Sequence, residues 1–230
     1  GSDGSFYGTT SEGGATRNGT VFKMDAAGTL TTLHSFNRSD GSSPNGLIQA
    51  SDGSFYGTTL HGGAASNAGT VFKMDATGTV TTLHSFSGSD GALPHAGLIR
   101  ASDGGFYGAT EQGGASGSGT VFRVNAAGIF TTLHSFSGSD GAWPRARLIQ
   151  GSDGSFYGTT SEGGATRNGT VFKMDAAGTL TTLHSFNRSD GSSPNGLIQA
   201  SDGSFYGTTL HGGAASRRKF DRILSFVRTK

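Results

Sequence analysis

Residues 46–86 read GLIQASDGSFYGTTLHGGAASNAGTVFKMDATGTVTTLHSF, and this stretch decides the fold. GLIQA (46–50) and SFYGTT (54–59) flank Ser51-Asp52-Gly53, and Asp-Gly between two apolar runs is a tight-hairpin signal. GTVFKMD (69–75) follows a Gly-rich loop, and TVTTLHSF (79–86) follows the turn Ala76-Thr77-Gly78. The segments are rich in β-branched and aromatic residues, which suit a pleated surface. No helical period runs through them. One unit is therefore four short antiparallel strands.

The unit recurs along the chain. SDGSFYGTT starts at Ser2, Ser51, Ser152 and Ser201, with SDGGFYGAT at Ser102. GTVF starts at Gly19, Gly69, Gly119 and Gly169, and TTLHSF at Thr31, Thr81, Thr131 and Thr181. Residues 151–216 also repeat residues 1–66 letter for letter. Four strands recurring about every 50 residues mark a β-propeller blade. The expected fold is all-β, a propeller of four to five blades with a ring that the chain leaves incomplete. Taking GLIQA as the inner strand gives a partial blade at 1–43, full blades at 44–93, 94–143 and 144–193, and a partial blade at 194–216. Unpaired strand edges invite pairing with another chain, so the expectation is either a fragment of a larger propeller or a homo-oligomer that completes itself.

The ordered elements YGTT, GG, GTVF and LHSF resemble the GloVer tandem repeat of bacterial secreted and surface proteins, over residues 1–216. The resemblance implies a propeller-like array and export to the cell surface or beyond. It implies no catalytic residues. The chain starts at Gly1 with no basic-then-apolar leader, so no secretion signal is expected within it.

Composition narrows the function. Among 230 residues there are 41 Gly and no Cys, with 33% hydrophobic and 14% charged residues. Without Cys there are no disulfides, thiolate metal sites or Cys nucleophiles. No run reaches membrane-spanning length. The net charge of +1 hides a division: residues 217–230 hold six basic residues against one acidic, and the repeat body is acidic. With no basic patch on the body, nucleic acid is not an expected partner. In the tail, Phe220, Ile223, Leu224 and Val227 fall at helical spacing, which allows a short amphipathic helix; the readings are a frayed extension or the start of unrelated sequence, against a cap on the open sheet edge or a contact with an anionic surface.

The recurring histidines His34, His84, His134 and His184 suggest a metal ring, but on outer strands they would stand on the order of 20 Å apart, whereas Zn–N bonds are about 2 Å. Neither a metal nor a cofactor is expected. The more informative signal is variation. The SDG and AAG turns barely change. The loops after the second and fourth strands do, and an up-down blade opens both on one face. That face carries Trp143, Arg145, Arg147, His95, Glu111 and Gln112, and loops are where binding residues concentrate. Trp and Arg are common interface anchors. The expected function is a noncatalytic extracellular module that binds a glycan or protein through this face; the alternatives are a structural scaffold and, third, a polysaccharide-acting enzyme. The only glutamates, Glu12, Glu111 and Glu162, occupy the same loop of different blades and form no convergent constellation, so the reading is that the protein is not an enzyme.

Overall fold

The computed structural model describes residues 1, 3–64, 67–213 and 223–226. Among these residues there is no helix, and the strands form five antiparallel sheets in chain order. The first holds β1 (Phe6–Thr10), β2 (Thr20–Met24) and β3 (Leu30–Ser35). The second holds β4 (Ser42–Gln49), β5 (Phe55–His61), β6 (Thr70–Met74) and β7 (Val80–Ser85). The third holds β8 (Ile99–Arg100), β9 (Phe106–Thr110), β10 (Thr120–Val124) and β11 (Phe130–Ser135). The fourth holds β12 (Ile149–Gln150), β13 (Phe156–Thr160), β14 (Thr170–Met174) and β15 (Leu180–Ser185), and the fifth β16 (Ser192–Gln199), β17 (Phe205–His211) and β18 (Ile223–Phe226).

The turns work by side-chain capture of backbone donors. In the SDG turn, Gly53 N–H donates to Ala50 O, and the Asp52 carboxylate accepts from Ser54 N–H at 3.0 Å. Asp75 does the same in the next turn, accepting from the amides of Thr77 and Thr79. These local bonds close the hairpin, and Ser51 also accepts from Arg100 Nη2 of the next sheet at 3.1 Å.

Packing between sheets rests on a repeated aromatic joint. The Tyr of each FYGTT strand stacks on the Phe of the next: Tyr7 on Phe55 (4.3 Å between centroids), Tyr56 on Phe106 (3.9 Å), Tyr107 on Phe156 (4.1 Å) and Tyr157 on Phe205 (4.1 Å). Phe36, Phe86 and Phe136 meet Phe72, Phe122 and Phe172 of the following sheet edge-on. The ring of Phe72 also lies over Gly57, where a Cβ would come within 2.7 Å of it. That is why the strand reads Tyr-Gly-Thr. The alternation of Phe and Tyr thus feeds both faces of each sheet into the core. At the end of the array the pattern breaks: Phe6 is 61% exposed, although Phe156, in a letter-identical segment, is 1% exposed.

Three details differ from the sequence expectation. First, the innermost strand is not uniformly GLIQA. β4 and β16 begin earlier and run through Pro44 and Pro194, whereas β8 and β12 have two residues each. The cause is one extra residue: Pro44 and Leu47 enclose two residues, but Pro94 and Leu98 enclose three, as do Pro144 and Leu148. The extra residue loops the chain out before pairing resumes. Second, a bulge opposite Val21 and Phe22 leaves Leu33 unpaired in β3, so simple alternation does not run through to His34. The spare leucine packs against the turn at Gly78 of the next sheet. Third, Ile223–Phe226 do not form a helix but pair with β17 in the place where a GTVF strand stands in other sheets. β17 presents open N–H and C=O groups there, and pairing satisfies them. Phe220 and Val227, the other residues of the helical spacing, lie outside the described residues.

Candidate functional site

The loops after the second and fourth strands do meet on one face. Ala92, after β7, exchanges both backbone bonds with Gln112, after β9, and Ala142 does so with Glu162. This pairing brings the looped-out segments His95-Ala96-Gly97 and Arg145-Ala146-Arg147 beside the variable loops.

The junction between the third and fourth sheets is built around Glu111. Its carboxylate is almost fully buried. Oε1 accepts from Arg145 Nη2 at 2.7 Å, and Oε2 lies 3.1 Å from His95 Nε2. A buried carboxylate needs such partners, since leaving it unpaired is costly. Arg145 and His95 are each about half exposed, so both keep a face to solvent. The Arg145 guanidinium also sits 5.6 Å from the centroid of the Trp143 ring. Four of the six expected residues therefore form one connected group.

The other two stand differently. Arg147 donates from Nε to Leu98 O at 2.9 Å, tying together the segments that lead into β12 and β8. Gln112 contributes its backbone, through the pairing with Ala92, and its side chain is exposed. A cavity of about 460 Å³ opens next to the group, and Arg145, Arg147, Ser161, Glu162, Asn195 and Leu210 help to line it. The sequence did not single out the last four as binding residues. Ser161, Glu162 and Leu210 belong to the same variable loop as Glu111 in later units, which is the signal that could have found them.

Trp143 is held in an unusual backbone state, with φ at 60°. Its amide donates to Ser118 O, and its carbonyl accepts from both the amide and hydroxyl of Ser161. Leu93, Ser43 and Ser193 share this left-handed conformation, so the architecture imposes it wherever this loop occurs. A bulky side chain there is disfavoured, yet the site carries the only Trp of the chain.

The charged junction occurs once among the described sheets. One unit further on, Ser161 takes the place of Glu111 and Asn195 the place of Arg145; one unit earlier, Leu60 takes the place of Glu111. The recurring histidines are engaged elsewhere. Each pairs through Nε2 with an Asp of its own unit, as His84 does with Asp90 at 2.8 Å, and rests edge-on against a Phe two residues on. Asp90 in turn accepts the Ser87 amide. Burial pushes the Asp90 carboxyl up, but bonds from Ser87 and His84 outweigh this and hold it below the usual range.

Five aromatic-jointed antiparallel sheets, with individual loops gathered on one face, define a β-propeller. The chain belongs to the Gloeobacter/Verrucomicrobia repeat family, which it matches over residues 1–220. No curated protein matches it in sequence. Solved structures share the fold. Virginiamycin B lyase from Staphylococcus aureus superposes with a TM-score of 0.62 at 16% identity, over 92% of this chain and 64% of the lyase. The periplasmic gluconolactonase PpgL of Pseudomonas aeruginosa gives 0.56 at 17% identity, over 96% of this chain and 67% of that one. The extracellular domain of a B. thetaiotaomicron one-component system gives 0.59 at 12% identity, over 84% of this chain and 24% of that one. The chain thus spans just under two thirds of the lyase's length.

These structures correct the expectation that the protein is not an enzyme. Lyases and gluconolactonases are built on this same fold, so a repetitive propeller body gives no ground for excluding catalysis. At such identities the likeness shows the fold alone. Among the described residues no helix is long and apolar enough to cross a membrane.

Proposed function

We propose that this protein is an extracellular module that binds a glycan or protein ligand on its variable-loop face, at the Glu111 junction. The observation that carries this is the single charged group of Glu111, Arg145 and His95 with Trp143 beside it, set in a body whose other units lack it. Arg145 and His95 keep exposed donors while Glu111 fixes their positions. Trp143 offers a rigid ring with low ordering cost, suited to stacking on a sugar or burying an apolar side chain. The adjacent cavity has the size of a small-ligand pocket. The extracellular and periplasmic origins of proteins with this fold support the location.

The test is a glycan array and a pull-down, each followed by calorimetry on any hit. Trp143→Ala and Glu111→Gln should each weaken binding at least tenfold. Absence of any ligand, or hits indifferent to both variants, would leave a structural scaffold.

The 3.1 Å contact between His95 and Glu111 favours a second reading, in which the same site performs acid–base chemistry on what it binds. Incubating a bound ligand with the protein and analysing it by mass spectrometry separates the two: an altered ligand, lost with His95→Ala, supports catalysis.

A further inference from the structure

The basic residues of the repeat body are sorted by face. Lys23, Lys73, Arg123 and Lys173 each pair with the Asp of an SDG turn, at 2.7 to 3.4 Å, and Arg100 reaches Ser51 of such a turn. In the loops that open on the variable face every basic residue is an arginine: Arg17, Arg38, Arg145, Arg147, Arg167 and Arg188. An ammonium is a compact point charge, whereas a guanidinium presents a planar fork of donors that matches a carboxylate.

Three of these arginines line two cavities that share Glu162. The cavity beside the Glu111 junction has Arg145 and Arg147 in its wall, and a second, of about 520 Å³, has Arg167 together with Ser137 and Ser139 of the loop after β11. Most of these residues belong to the fourth sheet, which aromatic stacks join to the third sheet on one side and the fifth on the other. Arg145 is held by Glu111. Arg147 donates from Nε and Nη2 to a neutral acceptor, Leu98 O, which leaves its other amino nitrogen unused. Arg167 is exposed, at a φ of 60° that the preceding unit fills with Gly117, the residue that takes it most easily. Among the described residues neither Arg147 nor Arg167 forms an ion pair, and the exposed Glu162 carboxylate has no donor.

We propose that the ligand of this face is an acidic glycan, a chain of sugar rings that bear carboxylates. This rests on the reading that the Glu111 junction binds a ligand. Ring carboxylates answer Arg147 and Arg167, and ring hydroxyls donate to Glu162. An acidic peptide brings the carboxylates but not a regular supply of hydroxyl donors. Two cavities with a common wall, each of small-ligand size, suit successive units of a polymer better than one compact molecule. The repeat body is acidic overall, so attraction of a polyanion depends on these local cations.

Calorimetry on the whole chain with three six-sugar probes tests this: hexagalacturonate, hexamannuronate and a hyaluronan hexasaccharide, each beside its carboxyl-reduced form. At least one acidic probe should bind at least tenfold more tightly than its reduced form. Arg147→Gln and Arg167→Gln should each weaken that binding at least fivefold, with an unchanged circular dichroism spectrum. Arg167 makes no side-chain bond among the described residues, so its variant reads recognition even if Arg147→Gln disturbs the tie to Leu98. Lys73→Gln removes the same charge from the opposite face and should leave the affinity within twofold. A loss in Lys73→Gln equal to that in the arginine variants would reduce the effect to overall charge and overturn the proposal. Equal affinity for a probe and its reduced form would overturn it while the reading of the face as a glycan site stands. If no acidic probe binds, the proposal falls, and the array and pull-down decide separately whether the face takes a neutral glycan, a protein or nothing.

Discussion

The rings of Tyr56 and Phe106 lie 3.9 Å apart between centroids and 20° from parallel, each belonging to a different sheet. Phe106 is 1% exposed. Removing it leaves a cavity at the joint, and Phe106→Ala should destabilise the protein by about 3–5 kcal/mol. Phe6→Ala removes the same atoms from an exposed position and should cost under about 0.5 kcal/mol. Urea denaturation of the two variants side by side checks the contrast.

Gly158→Ala tests the close approach of strand and ring. The added Cβ would fall 2.6 Å from Phe172 Cζ and 2.8 Å from Leu148 Cδ2, both in the packed interior. Overpacking of this kind costs about 1–3 kcal/mol. Gly154→Ala meets no neighbour, but φ there is +79°, so it should cost about 1 kcal/mol from backbone strain alone. Thermal melts should rank Gly158→Ala as the worse of the two.

Acid should loosen the SDG turns. Burial pushes Asp153 up, yet hydrogen bonds from Lys173, Tyr157 and the Ser155 amide outweigh it and bring the carboxyl down to about 2 from 3.8. A carboxyl depressed by folding contributes stability above its unfolded value and loses it as pH falls toward its folded one. The melting temperature should therefore drop between about pH 4 and pH 2. Asp153→Asn should flatten that drop, and 0.5 M salt should shrink it, since the pair with Lys173 is partly exposed.

Trp143 sits at a φ of 60° that Asn adopts far more readily. Trp143→Asn should leave the melting temperature unchanged or slightly higher, while ligand binding falls. A large loss of stability would mean that the indole is there for packing and not for recognition.

Much of the fold was legible because the chain writes the same hairpins repeatedly. The Asp-Gly turns, the β-branched strands and the FYGTT motif are each determined within a few residues, so they survive translation from sequence to structure. What was not legible depends on partners distant in sequence. The bulge at Leu33 recurs at the same place in the next three sheets, and it puts Leu33 beside the turn at Gly78 of another sheet. The helical spacing of Ile223 and Leu224 lost to the open edge of β17, a tertiary demand that local periodicity does not record. The shortened β8 and β12 were readable in principle from the extra residue between Pro94 and Leu98. In the site, loop variability pointed to Trp143, Arg145, His95 and Glu111. It could not reveal that Glu111 is buried, because its partners His95 and Arg145 come from two other loops. Nor could it assign Arg147 to a backbone carbonyl.

The identity of residues 1–66 with residues 151–216 acquires a meaning from the joints. Phe6 and Phe156 share every local neighbour in the sequence, yet one faces water and the other a tyrosine. The Tyr–Phe joint is thus the same at every boundary between sheets, and the Glu111 junction is what one boundary adds to it. With one joint serving every boundary, a unit could be added or removed between two others without any new aromatic packing at its edges.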